Sequence, residues 1–112
     1  MIRITLRLED GLYAGFEAKG HALFAPHGRD IVCAAVSALT TTCVNALETV
    51  AGVRAEAAVT DGKMKVSLPR DAGHDAQVIL AAMVQGLRDI AQQYPEHLQL
   101  IENSRIGGSK PC

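Results

Sequence analysis

Ile2, Ile4 and Leu6 alternate with Arg3, Thr5 and Arg7 at the start of the chain, which is the period-two pattern of a half-buried β-strand over residues 2–8. Glu9-Asp10-Gly11 supplies turn chemistry, and Leu12, Ala14, Phe16 and Ala18 resume the alternation, so residues 2–19 read as a hairpin that Gly20 ends. Residues 20–30 carry Pro26 and Gly28 and read as a loop; irregular connections of that length are often functional. Asp30 is then a good N-cap and Gly52 a good C-terminal stop for a helix over about 31–51. Val32, Val36, Leu39, Cys43, Leu47 and Val50 form one apolar stripe along it. Its flanks are small and uncharged, with Ala34, Ala35, Ala38, Thr40, Thr41, Thr42 and Ala46, which predicts burial on more than one side, against the sheet and against a partner subunit.

The runs 54–60 and 63–68 flank Asp61-Gly62, a strong hairpin signal, and Pro69 ends the pair. Leu80, Met83, Leu87, Ile90 and Tyr94 predict a second helix over about 75–93, stopped by Pro95. Residues 96–101 are ambiguous, a short extended piece being one reading, and 102–112 read as a flexible tail. The order β-β-α-β-β-α places one α+β domain at 1–101, with an antiparallel or mixed sheet and two helices.

A length of 112 residues leaves room for one domain, and small domains commonly hide further apolar surface by oligomerising. Eleven Lys plus Arg against twelve Asp plus Glu give a net charge of −1, which excludes broad attraction to nucleic acid or to an acidic membrane surface. With no Trp, two Tyr and two Phe, an aromatic platform for single-stranded nucleic acid is not expected either. The N-terminal strand pattern is not a signal peptide and no apolar run approaches a membrane span, so a soluble, cytoplasmic protein with reduced thiols is expected.

Three cysteines at 33, 43 and 112 make no disulfide framework. Cys43 falls on the core stripe and reads as a small buried hydrophobe. Cys33 is off that stripe and in the first helical turn, where unpaired N–H groups and the helix dipole favour a thiolate. His21 lies twelve positions earlier, at a strand end, and a folded loop can bring its imidazole to the thiol. Cys plus His is the minimum set for thiol-based acyl transfer, one attacking and the other handling the proton. Asp30 can cap the helix or orient His21, and Ser37, one turn after Cys33, can back-bond to a helix carbonyl or sit near the thiol. His21, His27 and Cys33 are spaced six apart, which matches no common zinc pattern; no metal and no cofactor are expected. His74 and His97 flank the second helix with no nucleophile beside them.

The blocks Gly20-His21-Ala22 and Gly28-Arg29-Asp30-Ile31-Val32-Cys33-Ala34-Ala35-Val36-Ser37-Ala38-Leu39 closely resemble the ribosomal-processing cysteine protease family, Prp-type. Residues 86–95, Gly-Leu-Arg-Asp-Ile-Ala-Gln-Gln-Tyr-Pro, fit it too, and the resemblance spans roughly 1–98. It implies a bacterial cytoplasmic homodimer that removes a short N-terminal extension from a large-subunit ribosomal protein, the peptide being its partner. It places the catalytic Cys on Cys33, the catalytic His on His21, the preceding Gly on Gly20, and the flanking Asp and Ser on Asp30 and Ser37. The loop differs from the family pattern: Leu23, Phe24, Pro26 and His27 stand where Gly and acidic residues are commoner. The alternative reading is a non-catalytic ribosome-associated module using the same cleft, with a redox or metal protein a distant third.

Overall fold

The structure is a computed structural model that describes residues 1–21, 25, 26 and 29–105. The expected order holds, with one strand more: β1 (Ile2–Glu9), β2 (Leu12–Lys19), α1 (Ile31–Thr49), β3 (Glu56–Thr60), β4 (Lys63–Ser67), α2 (His74–Gln93) and β5 (Leu98–Arg105). The five strands make one mixed sheet in the order β3-β4-β2-β1-β5, with β5 parallel to β1 and every other pair antiparallel.

The β5 strand extends one expectation and corrects another. The extended piece within 96–101 begins at Leu98 after a turn, and the strand runs to Arg105, four residues into the stretch read as tail. Its apolar alternation is short, since Leu98 and Leu100 face the core and Glu102 already faces solvent. Its partner β1 lies almost a chain length away, so no local turn announces the pairing. Residues 106–112, including Cys112, lie outside the described residues.

One face of the sheet makes the core. Ladder rows place Val66, Phe16 and Leu6 side by side, and Met64, Ala18, Ile4 and Leu100 in the next inward row. The helices cover this face with Val32, Val36, Cys43 and Leu47 from α1 and Ala76, Leu80, Met83, Val84 and Leu87 from α2. They meet each other where Gly86 lets the Leu39 side chain approach. By length and composition α1 would also pass for a membrane span, yet its Val32, Val36, Cys43 and Leu47 belong to this core.

Turn chemistry explains the hairpins. Asp10 (φ 54°) and Gly11 (φ 77°) both take positive φ, as a two-residue turn with the twist of its flanking strands requires. A bulge between Arg7 and Leu8 follows, and Tyr13 lies past the end of the β2–β4 pairing. There Gln77 of α2 stands in for a strand: its Oε1 accepts the Tyr13 N–H at 2.7 Å and its Nε2 donates to the Tyr13 carbonyl at 2.9 Å. At the end of α1 the Gly52 N–H (φ 65°) donates to the Glu48 carbonyl at 3.1 Å, the αL stop expected of that glycine.

Gly15 and Gly86 both sit in tight places, but what surrounds them differs. A Cβ on Gly15 would lie 2.2 Å from the Val66 carbonyl oxygen and 2.7 Å from the Arg7 guanidinium, which crosses over it to Ser67. A Cβ on Gly86 would have the Leu39 side chain as its nearest neighbour, with a terminal methyl 2.9 Å away. Gly15→Ala is therefore expected to lose more than about 2 kcal/mol, because backbone must move. Gly86→Ala should stay within about 1 kcal/mol of the parent, helix propensity offsetting a rotamer shift. Urea unfolding of both variants measures the contrast.

Candidate active site

The site begins with the N-terminus of α1. Asp30 has extended backbone (φ −81°, ψ 100°), and its Oδ1 accepts the Cys33 N–H at 3.0 Å while its carbonyl accepts the Ala34 N–H at 3.0 Å. Of the two tasks the sequence left open for Asp30, capping is therefore present, and it anchors the residue that carries the thiol. Cys33 is half-buried, off the core stripe, and turned to a cleft. Cys43 is 2% exposed, and burial pushes its thiol up to about 11, so it stays protonated and shielded at neutral pH.

His21 reaches the same cleft from the other side. Its neighbour Gly20 is held where three segments converge. The Gly20 N–H donates to the Gly62 carbonyl at 3.0 Å, in the β3–β4 turn, and a Cβ on Gly20 would stand 2.5 Å from the Met1 carbonyl oxygen. Its φ of 93° adds a second reason for glycine. The chain thus leaves β2 against bare backbone and delivers an exposed imidazole, whose Nε2 lies 3.6 Å from where a Gly62 Cβ would be.

Between these two walls lies an open cleft of about 830 Å³. The first half of α1 contributes Ile31, Cys33, Ala34 and Ser37, the end of β2 contributes Lys19, Gly20 and His21, and the second hairpin contributes Val59, Gly62 and Met64. Ile2, Val36 and Thr40 form its buried floor, and the Thr40 hydroxyl is satisfied by donating to the Val36 carbonyl at 2.9 Å. Thr40 thus makes the back-bond expected of Ser37, whose side chain is exposed at the cleft wall one turn from Cys33. All five predicted site residues, Gly20, His21, Asp30, Cys33 and Ser37, line this one cleft. His27 lies outside the described residues, and His74 and His97 sit at the two ends of α2, away from it.

The second hairpin is what residue-by-residue reading missed. Asp61-Gly62 signalled a turn and nothing more, yet Gly62 supports Gly20 and Val59 and Met64 give the cleft an apolar wall. The β3 strand is exposed along its whole length and is an edge of the sheet, so it offers unpaired backbone groups close to the cleft.

The family model described as cysteine protease Prp matches residues 1–99. The chain is 34% identical over 110 residues to the ribosomal processing cysteine protease Prp of Bacillus subtilis, covering 92% of this chain and 98% of the relative. It superposes with a TM-score of 0.88, at 29% identity and over 92% of this chain and 100% of the other, on the essential ribosomal processing protease Prp of Staphylococcus aureus in complex with a covalently linked product peptide. The S. aureus protease with a substrate peptide gives a TM-score of 0.82 at 28% identity, with the same coverage.

The Gly20 junction makes a clear test. Gly20→Ala must shift either the Met1 carbonyl or the end of β2, at a cost of about 1–3 kcal/mol, and His21 moves with it. Thermal unfolding should show the loss of stability, and peptide cleavage by the folded fraction should fall at least tenfold.

Proposed function

The chain belongs to the cysteine protease Prp family, and we propose that within it Cys33 is the nucleophile and His21 the general base and acid. It is a cysteine peptidase of ribosomal protein processing. The observation that carries the residue assignment is the shared cleft: two residues twelve positions apart line it from opposite walls, one on a helix N-terminus and one on a glycine-anchored strand end. The binding-module alternative has no further support.

In the proposed reaction His21 takes the Cys33 proton and the sulfur attacks the scissile carbonyl carbon. The tetrahedral intermediate collapses as the C–N bond breaks, and the departing amine takes the proton from His21. Water, deprotonated by His21, then cleaves the thioester, releasing the new carboxylate and restoring the thiol. Asp30 takes the N–H groups of Cys33 and Ala34, so the first-turn donors assigned to the oxyanion are those of Ile31 and Val32. Gly20 and Asp30 act as positioning residues, and Ser37 contacts the substrate at the cleft wall. The substrate is an extended N-terminal segment of a large-subunit ribosomal protein, its apolar side chains against Val59 and Met64 and its backbone able to pair with β3.

The homodimer belongs to this reading. The inner side of α1 is spent on the core, and its outer side shows Ala38, Thr41, Thr42 and Asn45, exposed and uncharged. Burial on a second side, expected from the sequence, is absent among the described residues, and a second copy would supply it.

Incubation with the host's ribosomal protein, followed by mass spectrometry of its N-terminus, tests the chemistry. Cys33→Ala and His21→Ala should each lower cleavage by at least a hundredfold, whereas Cys43→Ala should retain it once protein is matched for folded fraction; full cleavage by Cys33→Ala would overturn the assignment. Light scattering should give twice the chain mass of 11.9 kDa, and a monomer at working concentration would remove the dimer.

A further inference from the structure

The sheet face turned away from the helices gathers the chain's positive charge. Strand register places Arg3, Arg7, Lys19, Lys63, Lys65 and Arg105 on it. Its acidic residues are Glu9, Glu17 and Glu56. Elsewhere among the described residues only Arg29, Arg54, Arg70 and Arg88 stand against the other nine of the twelve acidic side chains. The net charge of −1 is thus the sum of a basic face and an acidic remainder.

Within this face Lys63 is the ladder partner of Lys19, and Lys19 of Arg3. Three exposed cations therefore sit in one row across three adjacent strands, a span of about 10 Å at ordinary strand spacing. Like charges directly opposite each other destabilise a sheet. Glu17, 3.6 Å from Lys63, offsets only part of that cost. An anion laid across the row would offset the rest. Among the described residues the face shows no aromatic side chain, since Tyr13 and Phe16 share the inward rows, so stacking on unpaired bases is not available to it. A phosphate backbone is what such a face can meet.

We propose that this outward sheet face, exposed among the described residues, docks the phosphate backbone of double-stranded RNA. Lys19 and Lys63 also line the rim of the cleft, so RNA held here lies beside the peptide-cleaving site. That arrangement suits a peptidase whose substrate is a ribosomal protein, itself an RNA-binding chain. The sequence-level exclusion of nucleic acid rested on net charge and does not apply to a surface where charge is segregated. The proposal stands on charge placement and does not depend on which residues cleave the peptide.

Fluorescence anisotropy of a labelled 20-base-pair RNA hairpin with the full-length protein tests it. Binding should be measurable at 50 mM KCl and fall about 40-fold by 200 mM, the slope of roughly three phosphate contacts. R3E/K65E, which leaves the cleft lining intact, should bind at least tenfold more weakly and still cleave peptide. R54E/R70E makes the same change in net charge at two arginines outside the strands and should bind within twofold of the parent. If the first pair folds poorly, K65Q alone should lower the salt slope by about one. Absence of binding at 50 mM KCl, equal loss in both double variants, or equally tight binding of an oligoglutamate of matched charge would each overturn the proposal, the last by reassigning the face to an acidic protein.

Discussion

The contact on which the site depends is a meeting of bare backbone at Gly20. The end of β2 passes the Met1 carbonyl at a distance no side chain would allow, and its N–H closes onto the Gly62 carbonyl of the second hairpin. That junction ties the start of β1, the end of β2 and the β3–β4 turn into one corner. A histidine placed immediately after it inherits the rigidity of three strands while staying exposed. The opposite wall is built on a different principle. Asp30 ends the loop by capping α1, so the helix that carries Cys33 starts at a defined residue with its first-turn donors partly spent.

The cleft between those walls follows from one-sided packing. The β1, β2 and β4 strands give their inward rows to the core, but β3 at the edge is exposed throughout, and its Val59 with Met64 of β4 forms a wall of the cleft opposite α1. The α1 stripe accordingly does two jobs: Val32, Val36, Cys43 and Leu47 hold the helix down, while Cys33 and Ser37, one turn apart and off the stripe, look into the opening. The same division explains why two cysteines ten residues apart differ. Cys43 is held protonated by burial, and Cys33 is half-buried on the wall of the open cleft.

Local chemistry made most of this legible in the sequence. Both hairpins, the Asp30 cap, the Gly52 stop and the α2 stripe are short-range patterns, and the structure has them all. The motif blocks around His21 and Cys33 carried the site residues. What stayed hidden was long-range. The β5 strand pairs with β1 in parallel from the far end of the chain, and its inward face offers only Leu98 and Leu100 before turning polar, too little periodicity to separate it from a tail. Gly20 was picked out through the motif, but the reason for it, the Met1 carbonyl, is a contact between segments that no spacing rule anticipates. Gly62 read as a turn residue because its service to Gly20 is visible only once the hairpin lies against β2.

Charge shows the same limit most sharply. A sum over 112 residues treats the chain as a point, and the sum is close to zero. Strand alternation, however, sorts residues by parity, and in β1, β2 and β4 the odd positions on the outward side include Arg3, Arg7, Lys19, Lys63 and Lys65 against Glu9 and Glu17. Register then decides whether those cations are spread out or aligned. Here antiparallel pairing sets Lys63, Lys19 and Arg3 in one row, and that row ends at the corner where Gly20 and His21 begin. The corner is fixed by backbone contacts that do not involve the cations. The row and the cleft therefore share a rigid frame and meet at the rim, where Lys19 and Lys63 belong to both, so a polyanion on the sheet face would lie directly beside a peptide in the cleft.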